Sequence, residues 1–284
     1  MINVEVANDA IIEAITKYMP HDQKTWEILG LLNRRHEVLA YGSDSKIIGR
    51  IFEIVIEPVL SKAAEELGYE LGVSEQQTVY PDFWFRKPNG HYVGIDVKST
   101  YRKYKRDGSL SSFNFTLGAY SSFMRNGTKN IYKNYSDYDS HYIIGFLYSR
   151  NHNATRGTTA LVDADSIISE YNSVEYFIQE KYKIGGQKKG SGNTNNIATF
   201  KSNNLEDFKN GLGYFSYLGE DVFNDYWKHY PLYTDSATTK ASLYTDLEQY
   251  FEWLKNNGDE QHGTNLMRIY NEWLIKIGTP NSIS

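Results

Sequence analysis

The chain has 284 residues, 40% hydrophobic and 15% aromatic, with 30 basic residues against 35 acidic ones and a net charge of −5. That length supports one large or two small domains with a real core, and the balance excludes disordered, collagenous and coiled-coil classes for the bulk of the chain. The absence of cysteine excludes disulfide frameworks, thiol nucleophiles and Cys-ligated zinc or iron–sulfur centres.

The opening residues, Met1-Ile2-Asn3-Val4-Glu5, lack the basic-then-apolar run of a secretory signal. The longest apolar stretch, Tyr142 to Tyr148, is far short of a membrane span. A soluble, cytoplasmic protein is expected. The clearest helix covers 44–68. Ser43 or Asp44 can cap it, Ile47, Ile48, Ile51, Phe52, Val55, Ile56, Val59 and Leu60 recur at helical spacing, and Gly68 is a stop. Pro58 should bend or divide it, and Glu53 lies beside its apolar stripe.

A strand over 82–86 then meets the turn Pro88-Asn89-Gly90 and a second strand over 91–98. In the second, Val93, Ile95 and Val97 share one face, and Gly94, Asp96 and Lys98 share the other. Asp107-Gly108 predicts a hairpin between 102–106 and 113–117, and another strand covers 141–149. Gly185 to Asn196, rich in Gly, Lys, Ser and Asn, reads as a loop. Helices are expected over 221–230, 244–255 and 264–277. The order predicts an α/β (α+β) fold around a mixed sheet, as one domain over 1–240 with a helical accessory region of the same domain over 241–284.

Charge is unevenly placed. Residues 98–134 carry eight basic side chains and one acid, +7 within a chain of −5, and Lys181, Lys183, Lys188 and Lys189 form a second cluster. A basic surface on an acidic protein suits a polyanion such as DNA, and equally suits a solubilising face.

The chemistry rests on Pro81-Asp82, thirteen residues, then Asp96-Val97-Lys98. Two carboxylates on neighbouring strands can converge on one divalent cation, and hard oxygens of this kind favour Mg²⁺. Alternation puts Lys98 on the same side as Asp96, where it can orient or deprotonate a water or offset transition-state charge. Alone, the triplet reads more readily as an exposed strand with an Asp–Lys pair. An Asp in mid-strand among apolar residues needs a partner, however, since an unpaired buried charge is expensive. The seven histidines lack metal-helix spacing, and no Gly-x-Ser-x-Gly elbow occurs.

The arrangement resembles the PD-(D/E)XK nuclease superfamily and, more narrowly, the EcoRV-type type II restriction endonucleases. Gly42 to Lys46 with Ile51-Phe52-Glu53, Gln76-Gln77, Tyr80-Pro81-Asp82-Phe83, Ile95 to Lys98, Phe115 to Gly118, Arg125 to Ile131 and Gly190 to Ile197 resemble segments of that family in the same order. The resemblance runs from about 38 to 231, roughly two-thirds of the chain. It implies a restriction-endonuclease-like fold with Asp82 and Asp96 as metal ligands, Lys98 as the catalytic lysine and Glu53 as an auxiliary carboxylate near the metal. It also implies that Gln77 contacts the minor groove, that Thr100, Ser122 and Lys129 contact phosphates, and that Gly190, Ser191, Gly192, Asn193, Thr194 and Asn196 belong to a major-groove recognition loop. That loop read alone is more readily a flexible linker.

By resemblance, the expected activity is Mg²⁺-dependent cleavage of double-stranded DNA at a short palindrome by a homodimer. The implied site is GATATC or a relative, cut bluntly to leave 5′-phosphate and 3′-hydroxyl ends, with a DNA methyltransferase as partner in the same system. Asn195 and Thr78 depart from the family's loops and bear on the exact target. Three other readings stay open: a repair or junction-resolving nuclease with the same chemistry, a non-catalytic DNA-binding protein, and a docking role for the last residues.

Overall fold

The computed structural model describes residues 4–76, 78–190, 195–232 and 243–277. The chain begins with α1 (Val4–Tyr18), α2 (Gln23–Trp26), β1 (Leu31–Leu32), β2 (Glu37–Leu39) and the long α3 (Ser45–Leu67). Strands β3 (Glu70–Val73), β4 (Phe83–Arg86), β5 (Tyr92–Tyr101), β6 (Thr116–Ala119), β7 (Tyr138–Arg150), β8 (Thr158–Ala160) and β9 (Tyr171–Glu180) follow. The remainder is β10 (Gly185–Lys189), β11 (Asn196–Thr199), α4 (Leu205–Lys209), α5 (Glu220–His229), α6 (Leu247–Asn256) and α7 (Glu260–Ile277).

Five strands make the central sheet in the order β3-β4-β5-β7-β9. Strands β5 and β7 are parallel and the other neighbours antiparallel. This is the mixed sheet expected of the α/β (α+β) class. Alternation along β5 sends Val93, Ile95 and Val97 into a core with Ile48, Phe52, Ile56 and Leu60 of α3 and Ile11 and Ile15 of α1. On the opposite face, Tyr92, Ile143 and Phe177 pack against the small sheet β10-β11-β6 and helices α4 to α7. A third small sheet, β1-β2-β8, stands apart from the central one.

Helix α3 forms where its pattern indicates. Asp44 accepts the Lys46 backbone N–H at 2.7 Å, and Gly68 takes the left-handed cap at φ +68°. Pro58 does not divide it. The carbonyl freed by the missing donor belongs to Ile54, which is 58% exposed, so water can satisfy it. Two residues before Ile54, the fully buried Phe52 stacks on Phe146 at 4.5 Å and meets the edge of Tyr171. Phe52→Ala is therefore expected to destabilise the fold by about 3–5 kcal/mol, read as a lower urea midpoint.

Two sequence expectations change. The hairpin across Asp107-Gly108 shrinks to a single bridge between Tyr104 and Leu110, because the second arm pairs elsewhere. Phe113 exchanges backbone bonds with Ser202, Thr199 donates to Phe115, and β6 pairs with β11. Burying Phe113 and Phe115 outweighs pairing with the charged 102–106 arm. The loop expected over 185–196 is also narrower, since 185–189 is strand β10, antiparallel to β11. Gly186 serves close packing: a Cβ there would lie 2.8 Å from the Ala198 carbonyl.

Candidate active site

The register of β4 on β5 pairs Phe83 with Ile95, and extending it by one residue sets Asp82 opposite Asp96. Asp82 precedes β4, so its side chain is free to turn back, and its Oδ2 accepts the Val97 backbone N–H at 2.8 Å. Asp96 lies mid-strand and is 3% exposed. The Lys98 Nζ reaches between the two carboxylates, 2.6 Å from Asp96 Oδ2 and 3.5 Å from Asp82 Oδ2. It also donates to the Val97 carbonyl at 3.1 Å.

The electrostatics follow from this crowding. Burial and then the Asp82 charge push Asp96 up to about 7, against the pull of Lys98. Burial opposes the Lys98 charge, but Asp96 and Asp82 override it and hold the ammonium above the ordinary lysine value. Burial works upward on Asp82 too, yet Lys98 and the Val97 N–H keep it below the usual carboxylate range. The site is thus an anionic pair with one cation inserted into it.

Glu53 approaches from α3 and is tied to Arg50 one turn before it. Burial and the Asp82 charge raise its pKa, with Arg50 opposing. Glu53, Arg50, Gly49 and Ser45 line a groove whose floor is Asp82, Val97, Lys98 and Ser99. A smaller groove on the other flank of Asp82 and Lys98 is lined by Thr78, Tyr80, Asp96, Gly118, Ser122, Phe123 and Asn130. Among the described residues, no three His, Asp or Glu side chains gather closely enough to hold an ion. The carboxylates that could hold an ion here are the Asp82–Asp96 pair, with Glu53 tied to Arg50 beside them. Two hard carboxylates fit a Mg²⁺ that keeps several waters and completes its shell from a phosphate.

The other sequence candidates are dispersed. Thr100 lies two residues beyond Lys98 on β5, half-buried. Ser122 is buried, and its hydroxyl donates to the Lys129 carbonyl at 2.8 Å, while the Lys129 side chain is exposed. Gly190 donates its N–H to the Asn196 carbonyl at 2.8 Å, closing the base of the β10–β11 hairpin. Gln77, Ser191, Gly192, Asn193 and Thr194 lie outside the described residues. Asn195 binds Tyr120 twice, accepting its N–H at 2.9 Å and its hydroxyl at 3.2 Å.

The basic clusters split. Lys103, Lys105, Arg106, Lys129, Lys133, Lys188 and Lys189 are exposed. Arg102 is paired with Glu175 and Lys183 with Glu180. Lys181, grouped with the surface lysines on sequence, is 1% exposed. Sequence reasoning also missed Tyr80 and Phe123, which stack at 4.1 Å beside the smaller groove. The signal available was Tyr80 itself, two residues before Asp82. Among the described residues, no helix is long and apolar enough to cross a membrane.

Comparison with known proteins agrees with this geometry. A family model described as restriction endonuclease EcoRV matches residues 22–255. The type II restriction enzyme EcoRV of Escherichia coli is 33% identical over 237 residues, covering 82% of this chain and 93% of that enzyme. The solved NlaIV restriction endonuclease aligns over 99% of this chain and 91% of its own at a TM-score of 0.32 and 12% identity, too loosely to carry an argument. On the family match and the extent of the identity, this chain belongs to the EcoRV family of restriction endonucleases.

Proposed function

We propose that this enzyme is a Mg²⁺-dependent endodeoxyribonuclease that cuts double-stranded DNA at a short palindrome. The observation that carries the reading is the gathering of Asp82, Asp96 and Lys98 between two open grooves. Asp82 and Asp96 hold the ion, with Glu53 as an auxiliary carboxylate. When bound, Mg²⁺ supplies Lewis-acid stabilisation of charge at the scissile phosphate. Lys98, protonated in the metal-free protein, serves as a donor and counter-charge, orienting the attacking water against a phosphoryl oxygen. Attack in line with the departing 3′ oxygen leaves 5′-phosphate and 3′-hydroxyl ends.

Recognition falls to the segment between β10 and β11, with Gly190, Ser191, Gly192, Asn193, Thr194 and Asn196 serving the major groove, where Asn can pair bidentately with adenine. Gln77 serves the minor groove, and Thr100, Ser122 and Lys129 serve the phosphates. GATATC, cut bluntly, is the favoured target. Both strands of a palindrome must be cut and each chain supplies one such site, so the active species is a homodimer. The enzyme works in the cytoplasm beside a DNA methyltransferase that protects the same sites.

Digestion of an unmodified plasmid, with Mg²⁺ and with EDTA, followed by end-sequencing, tests the proposal. Discrete blunt fragments at GATATC that vanish in EDTA are expected. Discrete cutting at another palindrome keeps the chemistry and turns attention to Asn195 and Thr78. No discrete fragments with any divalent ion would sink the reading, and cleavage of branched DNA alone would replace it with a junction-resolving nuclease.

A further inference from the structure

Lys181 is a charged side chain with no ordinary reason to be where it is. It is 1% exposed, and among the described residues its Nζ has no hydrogen-bond partner. The ammonium instead lies over two rings, 4.4 Å from the centroid of Tyr80 and 4.7 Å from that of Phe123. An unpaired ammonium in such a place costs the fold stability, and an apolar side chain of the same length would pack there more favourably.

The sheet register shows what the lysine is close to. Asp96 pairs with Ile143 on β7, and Ile143 with Gln179 on β9. Two residues along, the next rung on the same face holds Gly94, His141 and Lys181, with Gly94 paired to His141 and the Lys181 N–H donating to the His141 carbonyl at 2.8 Å. Lys98, paired with Gly145, occupies the rung on the other side of Asp96. Gly94 leaves the space, since a Cβ there would lie 2.8 Å from His141 Nδ1. Tyr80 and Phe123, the rings beneath the ammonium, line the smaller groove together with Asp82, Asp96 and Lys98.

The surrounding groups do not neutralise it. His141 accepts or shares the Tyr80 hydroxyl at 2.9 Å, and burial and Lys181 keep its pKa far below the ordinary histidine value. Glu220 is pushed up to about 7 by burial and by Glu180, while Glu180 is paired with Lys183. Burial pulls Lys181 itself down to about 7, against Asp96 and Glu220. Burial thus weighs against its charge, and Asp96 is the first of the groups that favour it.

We propose that Lys181 is a positioning residue of the Asp82–Asp96–Lys98 site, a buried cation that fixes the Asp96 carboxylate from the side away from Lys98 and seats the Tyr80–Phe123 wall beside it. This rests on the nuclease reading above. Lys181 does not touch DNA, being 1% exposed, and it acts through Asp96. With its charge removed, Asp96 is held by Lys98 alone and loses the fixed orientation that metal ligation and catalysis require. Hydrogen-bonded partners behind a metal ligand are worth about 10–100-fold in activity or metal affinity, and a buried charge acting on Asp96 without a hydrogen bond is placed at the lower end of that range.

The test is Lys181→Met, which keeps the length and removes the charge, with Lys181→Gln as a second neutral variant that retains hydrogen-bonding capacity. Thermal unfolding in EDTA, DNA affinity without metal and single-turnover cleavage in Mg²⁺ are measured beside the unaltered enzyme. The expected result for Lys181→Met is a melting temperature raised by about 2–4 °C, DNA affinity unchanged, and cleavage slowed at least about 10-fold. A stabilised variant that cleaves at the unaltered rate would overturn the proposal, and so would a destabilised one, since the lysine would then be structural. If the unaltered enzyme cuts nothing, the nuclease reading fails instead, and the two failures are distinguished by that control.

Discussion

Lys98→Met is expected to lower single-turnover cleavage by about 10²–10⁴-fold while leaving DNA binding intact. The same substitution should make the metal-free protein less stable and its response to Mg²⁺ larger. The reason lies in where the ammonium sits. It contacts the Oδ2 atoms of both carboxylates, and its removal leaves Asp96, 3% exposed, facing Asp82 without the cation between them. An uncompensated buried group of this sort costs about 1–3 kcal/mol, less than a fully sealed pair because Lys98 and Asp82 retain about a quarter of their side-chain exposure. A divalent ion drawn to the two carboxylates competes with the ammonium, so the variant should bind Mg²⁺ more tightly than the unaltered enzyme and still fail to cut. Calorimetric titration with Mg²⁺, urea unfolding in EDTA and in Mg²⁺, and a quenched-flow cleavage assay check the three parts. Normal turnover in the variant would remove Lys98 from the chemistry.

Some of this site was legible in the sequence because it depends on short-range rules. The period of two along 91–98 puts Asp96 and Lys98 on one face, and the Pro88-Asn89-Gly90 turn returns the chain so that Asp82 comes opposite Asp96. The long helix was legible for the same reason, with a cap at Asp44, a stop at Gly68 and an apolar stripe between them. What was not legible depends on partners far away in the chain. Phe113 and Phe115 look like the second arm of a hairpin until Ser202 and Thr199 arrive to take their backbone groups. The Gly-rich start of 185–196 looks loose until its glycines are seen packed against the β11 backbone and Phe223. Helix α1 and the buried Trp26 went unread, since their apolar residues acquire meaning only against α3 and Phe146.

Lysine 181 is the sharpest case. Composition sorts every lysine to the surface, and the neighbouring Lys183, Lys188 and Lys189 encourage that reading. Only the pairing of β9 with β7, and of β7 with β5, reveals that 181 lies two rungs from Asp96 and so on the same face. Glu53 is intermediate. Its place on α3 was legible, but its tie to Arg50, an i,i+3 neighbour, was not, because helical spacing permits such a pair without requiring it.

Asp82→Asn should separate the two halves of the Lys98 argument. It is expected to reduce cleavage at least as severely as Lys98→Met, but with the opposite effect on the metal. The asparagine Oδ1 can still accept the Val97 N–H that Asp82 now holds at 2.8 Å, so the junction of β4 and β5 survives. Relieved of the Asp82 charge, Asp96 has one less reason to resist ionisation and keeps Lys98 as its partner at 2.6 Å. The metal-free protein should therefore be as stable as the unaltered one, or slightly more so. The site, however, has lost one of the two carboxylates proposed to hold the ion, and Glu53, tied to Arg50, is not free to replace it. Mg²⁺ affinity should then fall by about 10–100-fold or more, judged against what loss of an outer-shell partner alone costs. The two variants thus predict a crossed pattern, in which one inactive protein binds metal more tightly and the other more weakly. Equal Mg²⁺ affinities in the two would mean that the ion is held elsewhere. Because Asn and Met both preserve side-chain volume, a crossed result reports charge rather than packing, and it would assign the carboxylate to holding the ion and the lysine to the step that follows.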